Sequence, residues 1–240
     1  MQTLTPMTVD RRALHRIPEL GDELPKTMDY LQDVLGTLDC EVLFPLDSAV
    51  CAYFDFGAAD TLAFRAEMDA LPIAEQTGLP FSSQHSGKMH ACGHDMHAAM
   101  LLGAAKLLKA HEDELEGTVK LEFQPAEEIF QGSPDMIASG LLEDPHVDAA
   151  VMFHVLAGMP LPVGTVLVPG GGITMASCEQ YHIVVKGKGG HGSTPENCID
   201  PITAAAHIHI ALQEINSREL KPGDFGAVSY THLTLPTIRL

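Results

Sequence analysis

Residues 90–108 read HACGHDMHAAMLLGAAKLL, and this stretch changes from cysteine- and histidine-rich to mainly apolar about halfway along. The first eight positions contain four cysteine and histidine side chains. The following positions place Leu101, Ala105 and Leu108 on one face at helical spacing. The stretch therefore predicts a loop that runs into a buried helix from about His97, with metal-binding or reactive side chains gathered where the loop meets the helix.

Apolar segments on both sides of this stretch predict further strands and helices. Strands are expected at Ala49–Phe54, Thr61–Ala66, Thr118–Phe123 and Asp148–Phe153. Amphipathic helices are expected at Thr8–Leu14 and Leu24–Leu38, and a short helix is expected from the N-cap Ser133 to Gly140. Strands that alternate with helices predict an α/β fold with helices flanking a sheet.

The pattern of predicted strands and helices changes from about Ser177. A strand at Tyr181–Val185, a glycine-rich turn and a long helix from Asp200 to about Asn216 predict the start of a second domain. The final residues, Val228–Leu240, continue neither pattern, and we expect them to be a non-native or disordered tail.

Composition narrows the class of protein. The 240 residues are 45% hydrophobic and 19% charged, which is typical of a folded protein, and the net charge of −18 disfavours nucleic acid and anionic membranes as partners. No apolar run is long enough to span a bilayer, and Met1–Asp10 lacks the features of a signal peptide, so we expect a cytoplasmic protein. The five cysteines include no CxxC pair, and all except Cys92 are expected to be small buried hydrophobes.

Cys92 and His94 form the strongest candidate for a metal site. A thiolate and an imidazole two residues apart can converge on one ion, and Gly93 allows the tight turn between them. A core histidine cluster at a helix start is the alternative, but four such side chains within eight positions favour the metal. Asp95 can accept a hydrogen bond from a ligand imidazole or cap the following helix.

Glu127 and Glu128 follow a predicted strand that Pro125 ends. Adjacent residues on an extended segment point in different directions. One carboxylate can therefore bind a metal while the other transfers protons. A solvated acidic loop is the alternative interpretation.

Other polar side chains also follow predicted strands. His154 comes directly after Asp148–Phe153, and Glu67 and Asp69 follow Thr61–Ala66 and point to the same side. Ligands in open α/β sheets gather outside the carboxyl ends of strands, so these residues could converge with Cys92. Alternatively, His154 is a bystander and the two carboxylates cap a turn.

These motifs together resemble one family. The stretches RAEMDALPI (65–73), HACGHDMH (90–97) and FQPAEE (123–128), followed by His154, are similar in order and spacing to metal-dependent amidohydrolases. That group includes hippurate hydrolases, N-acyl-amino-acid deacylases (aminoacylases) and auxin-conjugate hydrolases. RRALHRIPEL (11–20) resembles the N-terminal helix of the family, and GKGGHGSTP (187–195) with IDPI (199–202) resembles the start of its lid domain.

The resemblance implies a fold and a domain plan. It implies a mixed sheet flanked by helices, as in zinc-peptidase-like catalytic domains, with an inserted α+β lid or dimerisation domain. The catalytic part would span 1–176, and the incomplete lid would span 177–227 before the tail at 228–240. Family members are longer and supply a last histidine ligand after the lid. We therefore expect this chain to be incomplete, to be poorly active and to expose unpaired strand edges.

The resemblance also implies roles for individual residues. Glu127 would be the general acid/base, His191 of the lid would stabilise the reacting carbonyl, and Asp69 would support the site. The metal ligands would be Cys92, His94, Glu128 and His154. In the wider clan a histidine ligand stands where this chain has Glu67, which leaves the role of Glu67 open.

The implied activity is hydrolysis of the amide bond of N-acyl amino acids by a water that two divalent ions share. The family more often suggests manganese, while a thiolate beside imidazoles slightly favours zinc, and cobalt or nickel also suit these ligands. The partners would be a small-molecule substrate and, in the full-length protein, a second copy in a homodimer. Alternatives are a small-peptide carboxypeptidase, an N-acetyl-diaminopimelate-type deacetylase or an inactive metal-binding fragment.

Overall fold

The fold is described by a computed structural model that covers residues 5–57, 60–172, 179, 181–221 and 226. The chain divides into two compact units, Met1–Pro160 and Leu161–Leu240, which are described separately. The helices of the first unit are α1 (Pro6–Arg16), α2 (Pro25–Leu35), α3 (His94–Ala110) and α4 (Gly132–Ala138). Its strands are β1 (Glu41–Leu43), β2 (Val50–Asp55), β3 (Thr61–Glu67), β4 (Thr118–Gln124) and β5 (Ala149–Met152).

The strands form one sheet in the order β1-β2-β4-β3-β5. The pairs β1–β2 and β2–β4 are antiparallel, while β3 pairs with β4 and with β5 in parallel. The predicted mixed sheet is therefore confirmed. Because β3, β4 and β5 run in the same direction, their carboxyl ends lie at the same edge of the sheet.

Helices cover both faces of this sheet. On one face the predicted apolar residues of the second helix, Leu24, Met28, Leu31 and Leu35, are all buried, and they pack in one core with α3 and the central strands. On the other face Met136 of α4 packs with Ala49, Cys51 and Leu141. The central strand β4 is buried along its whole length.

The helix after the Cys/His motif begins earlier than the sequence pattern suggests. α3 starts at His94, one turn before the expected His97, because Gly93 adopts a left-handed conformation (φ 95°) as the N-cap residue. The first turn of α3 therefore contains His94, Asp95 and His97, and all three are buried. The N-terminal capping role considered for Asp95 is wrong, since Gly93 occupies that position.

Two shorter elements also differ from expectation. α4 begins at Gly132 rather than after Ser133, and a side chain on Gly132 would collide with the carbonyl oxygen of Pro125, 1.7 Å from the position of an added Cβ. β1 was not predicted, because three partly exposed residues carry no clear alternation.

The second unit contains α5 (Pro201–Glu214), preceded by a single 3₁₀ turn at Pro195–Asn197 and followed by a π-helical turn at Ile215–Glu219. The predicted start of α5 is confirmed, since the Asp200 side chain accepts a hydrogen bond from the backbone N–H of Ile202.

The strand expected at Tyr181–Val185 is not formed. No residue of the described ranges pairs with this segment, and Tyr181 is 78% exposed. A strand needs a partner to satisfy its backbone polar groups, and apolar composition does not supply one. The predicted boundary at 176/177, the predicted tail at 228–240 and Cys178 lie outside the described residues.

Cys51 is buried as expected, whereas Cys40 and Cys198 are only partly buried. Among the helices that the structure describes, none has both the length and the apolar character needed to cross a bilayer.

Two leucines of α3 test the account of the core. Leu102 is 0% exposed and lies in the core that joins helices and sheet, whereas Leu107 on the same helix is 64% exposed. We expect Leu102→Ala to lower the free energy of unfolding by about 3 kcal/mol because it leaves a cavity. The matched control Leu107→Ala should change it by less than about 0.5 kcal/mol. Urea unfolding followed by circular dichroism measures both, and equal effects would contradict this packing.

Candidate metal centre

The carboxyl edge of the sheet brings together the residues that the sequence singled out. Cys92 and His94 lie at the start of α3, Glu127 and Glu128 follow β4, and His154 follows β5. Cys92, His94 and His154 have potential ligand atoms that all lie within 4.8 Å of one another, and so do His94, Glu127 and Glu128. His94 belongs to both groups and therefore stands at the centre of the cluster.

The imidazole of His94 is oriented for a ligand role. Its Nδ1–H donates a hydrogen bond to the backbone oxygen of Asp69 at 2.8 Å. Its Nε2 is buried without a hydrogen-bond partner, 3.8 Å from Oε2 of Glu127 and 3.9 Å from Oε1 of Glu128. Oε1 of Glu128 is also buried and unpartnered. Leaving such an atom unsatisfied costs roughly 1–3 kcal/mol, and a cation between the two would satisfy both.

The charges around His94 favour a cation. Burial alone would lower the pKa of the His94 imidazole, but the hydrogen bonds with Asp69 and Cys92 and the nearby negative charges raise it to about 11. Burial raises the pKa of Glu128, and the neighbouring charge of Glu127 adds to this effect. The same negative surroundings that hold a proton on His94 would attract a metal ion to its place.

Cys92 and His154 form the other side of the cluster. The Sγ atom of Cys92 lies 3.4 Å from Nε2 of His154. Nδ1 of His154 donates to the backbone oxygen of Val155 at 2.7 Å, which leaves the lone pair of Nε2 directed toward the thiol. A thiol beside a free imidazole nitrogen is a donor pair that suits zinc and similar divalent ions.

Asp69 connects His94 with the turn that carries Glu127 and Glu128. Its side chain is fully buried, and its oxygens accept hydrogen bonds from the backbone N–H groups of Glu127 and Glu128, each at 3.1 Å. Its backbone oxygen holds His94, as described above. Asp69 alone thus positions both the imidazole of His94 and the two carboxylates after β4.

The turn that carries the two glutamates is conformationally strained. Ala126 and Phe130, on either side of the pair, have left-handed backbones with φ of 51° and 57°. The strained Ala126 is held by its N–H, which donates to Gly21, and by its carbonyl, which accepts from Gln131 and Gly132. Strain of this kind persists only where the surrounding structure enforces it, and it is common at functional sites.

Glu67 and His97 form a third group with His94, and again the ligand atoms lie within 4.8 Å of one another. The ring nitrogens of His97 and the carboxylate of Glu67 already have hydrogen-bond partners. Nδ1 of His97 donates to Oε2 of Glu67 at 2.7 Å, and its Nε2 accepts from the N–H of Val155 at 3.0 Å. Burial alone would raise the pKa of Glu67, but His97 and the charge of Arg65 outweigh it and lower the pKa to about 2.

The sequence interpretation gave His97 no role. The signal was its spacing: it lies three residues after His94, so a helix that begins at His94 places both rings on one face. Their ring centroids are 5.4 Å apart.

Asp95 does not contact a predicted ligand imidazole. Its Oδ2 accepts a hydrogen bond from Nδ1 of His15 at 2.7 Å and forms an ion pair with Nε of Arg11 at 2.9 Å, and both partners lie on α1. Burial alone would raise the pKa of Asp95, but His15 and Arg11 help to lower it. Asp95 thus anchors α1 to the first turn of α3, directly after Cys92 and Gly93.

His191 lies in the second unit, and its role at the reacting carbonyl stays a prediction. It is exposed, and Nδ1 lies 2.8 Å from Oγ of Ser193.

Gly93 is the position where the loop tolerates no side chain. A Cβ added there would lie 2.5 Å from Cγ2 of Val155, and its φ is 95°. We expect Gly93→Ala to lower the free energy of unfolding by about 2 kcal/mol through backbone strain and overpacking. It should also displace Val155 and weaken zinc binding, which isothermal titration calorimetry measures.

Gly103→Ala in α3 is the matched control. Its added Cβ would meet only Met7, with Sδ at 3.5 Å, and alanine favours a helix by about 1 kcal/mol over glycine. This variant should be at least as stable as the wild type. A stable Gly93→Ala protein with unchanged zinc binding would contradict the close approach.

The chain is similar to known proteins. The chain is 42% identical over 231 residues to an N-acetylcysteine deacetylase of Bacillus subtilis (strain 168), covering 95% of this chain and 59% of the relative. It is 42% identical over 220 residues to the IAA-amino acid hydrolase ILR1-like 5 of Arabidopsis thaliana, covering 91% of this chain and 49% of the relative. The chain thus spans about half to three-fifths of the length of these curated relatives.

A solved structure shares the fold. The Bacillus subtilis protein YXEP, described as a dinuclear metal binding peptidase from the M20 family, superposes with a TM-score of 0.59 at 41% identity. The match covers 64% of this chain and 44% of that protein. The model of peptidase family M20/M25/M40 matches residues 63–232, a span that contains every residue of the cluster. The chain belongs to peptidase family M20/M25/M40.

Proposed function

We propose that this chain carries the metal centre and the general base of a hydrolase that cleaves the amide bond of N-acyl amino acids. The observation that supports this most strongly is the pair of buried, unpartnered ligand atoms, Nε2 of His94 and Oε1 of Glu128, beside the thiol of Cys92. The relatives named above support the substrate class, since the names of both describe hydrolysis of an amino acid conjugate.

The ligands in this proposal are Cys92, His94, Glu128 and His154. Their donor set of one thiolate, two imidazoles and one carboxylate suits zinc or manganese, and also cobalt or nickel. When bound, a pair of divalent ions supplies an activated water and polarises the scissile carbonyl. The description of the related Bacillus subtilis protein as a dinuclear metal binding peptidase supports two ions.

Glu127 is the general base in this proposal. Its side chain is 33% exposed, against 20% for Glu128, so it is the carboxylate with access to a substrate. Its backbone is fixed by Asp69. Glu127 accepts the proton of the attacking water and passes it to the leaving amine, which restores the carboxylate for the next cycle.

Several further expectations from the sequence belong to the same proposal. They are the role of His191 at the reacting carbonyl, the lid and homodimer of the full-length protein, and its cytoplasmic location. Our proposal for the domain plan remains a catalytic part at 1–176 followed by a lid segment at 177–227.

Replacement of Glu127 separates chemistry from metal binding. Glu127→Gln keeps the size of the side chain but cannot accept the proton, so we expect a loss of turnover of at least about 100-fold. The metal content should stay that of the wild type, because the ligand set is intact. Hydrolysis of N-acetyl amino acids and hippurate with added manganese or zinc, together with metal analysis of the same preparations, measures both.

Glu114→Gln, at an exposed carboxylate outside the cluster, is the control and should keep wild-type turnover. Retained turnover in Glu127→Gln would contradict the role of the base. Metal binding by the wild-type chain without hydrolysis of any substrate of the panel would instead favour a non-catalytic metal-binding protein.

A further inference from the structure

Behind the predicted ligands lies a buried pair, Glu67 and His97, that the mechanism does not use. Both side chains are almost completely buried, at 2% and 1% exposure. Nδ1 of His97 donates to Oε2 of Glu67 at 2.7 Å, and Arg65 forms an ion pair with the other carboxylate oxygen. The carboxylate therefore fixes the orientation of the His97 ring and the position of its proton.

The opposite side of the His97 ring faces the end of β5. With its proton on Nδ1, the ring accepts at Nε2 from the backbone N–H of Val155 at 3.0 Å. The carbonyl of the same Val155 accepts from Nδ1 of His154 at 2.7 Å. The two polar groups of one residue thus connect His97 with the imidazole of His154.

Direct ring packing adds to this connection. The centroids of the His97 and His154 rings are 4.6 Å apart, with an interplanar angle of 69°. His154 itself is exposed, and its described polar contacts are those with Val155 and Cys92. The buried ring of His97 therefore provides a fixed packing surface for the ring of His154, which is otherwise exposed.

We propose that Glu67 and His97 are positioning residues that hold His154 in its metal-binding orientation through the backbone of Val155, an inference that rests on the proposed ligand role of His154. His97 is not a ligand in this arrangement, because both of its ring nitrogens are already hydrogen bonded. A chain of hydrogen bonds runs from Glu67 through His97 and Val155 to the proton on Nδ1 of His154. It leaves Nε2 of His154 available to the ion.

The test measures zinc affinity of the 240-residue chain by competition with a chromophoric chelator, in wild type and variants. His97→Phe keeps a planar ring but removes both hydrogen bonds, and it should weaken zinc binding by about 10- to 100-fold. His97→Gln can still accept from the N–H of Val155, and it should recover most of the lost affinity. A general packing role for His97 would not produce this rescue.

A double-variant cycle separates positioning from loosening of the fold. His154→Ala alone should weaken zinc binding, and His97→Phe should cause no further loss in the His154→Ala background, because the effect passes through His154. An equal loss in both backgrounds, or an unchanged affinity in His97→Phe, would overturn the inference. Unchanged affinity in His154→Ala would instead refute the ligand assignment in the proposed function.

A stability measurement and two further variants test whether misfolding causes the loss of affinity. Thermal unfolding of the metal-free variants shows whether His97→Phe is folded, and if it is not, Glu67→Gln takes its place in the cycle. Glu67→Gln keeps an acceptor for His97 without the charge, and it should weaken zinc binding less than His97→Phe does. His111→Phe, at the exposed end of the same helix, is the matched control and should bind zinc as the wild type does.

Discussion

The carboxyl group and the backbone oxygen of Asp69 hold together the parts on which the candidate site depends. The carboxylate accepts from the N–H groups of Glu127 and Glu128, and the backbone oxygen accepts from the ring of His94. Asp69 can do this because β3 and β4 are parallel neighbours and end at the same edge of the sheet. Hydrogen bonds therefore hold the segment after β3, the start of α3 and the strained turn after β4 at fixed distances from one another.

The energetics of the cluster make sense only with a positive charge at its centre. Groups that can be negative or can donate a lone pair lie around His94, and Nε2 of His94 and Oε1 of Glu128 are buried without a hydrogen-bond partner. Burying such groups is unfavourable unless a cation compensates for the lost solvation. Asp95, in contrast, is balanced by Arg11 and His15 and contributes to the attachment of α1. Acidic residues of the same region thus have different roles because their neighbours differ.

Part of this arrangement could be predicted from the sequence, because it depends on local order. Polar residues directly after apolar strands, as at Glu127 and His154, must lie at a sheet edge, and parallel strands bring such edges together. What could not be predicted depends on contacts distant along the chain. The partners of Asp95 lie on α1, and Val155 contacts His97 from beyond the end of β5. The expected strand at Tyr181 failed for a related reason, since composition does not create a pairing partner. The early start of α3 was missed for a local reason, since it depends on the left-handed backbone of Gly93, which an apolar pattern does not reveal.

The position of the ion tests the central claim most directly. Crystals of the chain grown with zinc and measured at the zinc absorption edge should show an anomalous peak about 2.3 Å from Sγ of Cys92 and about 2.0–2.1 Å from a ring nitrogen of His94 or His154. Glu128 should complete the ligand set, and His97 should keep its hydrogen bonds to Glu67 and Val155. A peak bound by Glu67 and His97, or peaks confined to surface histidines, would contradict the account.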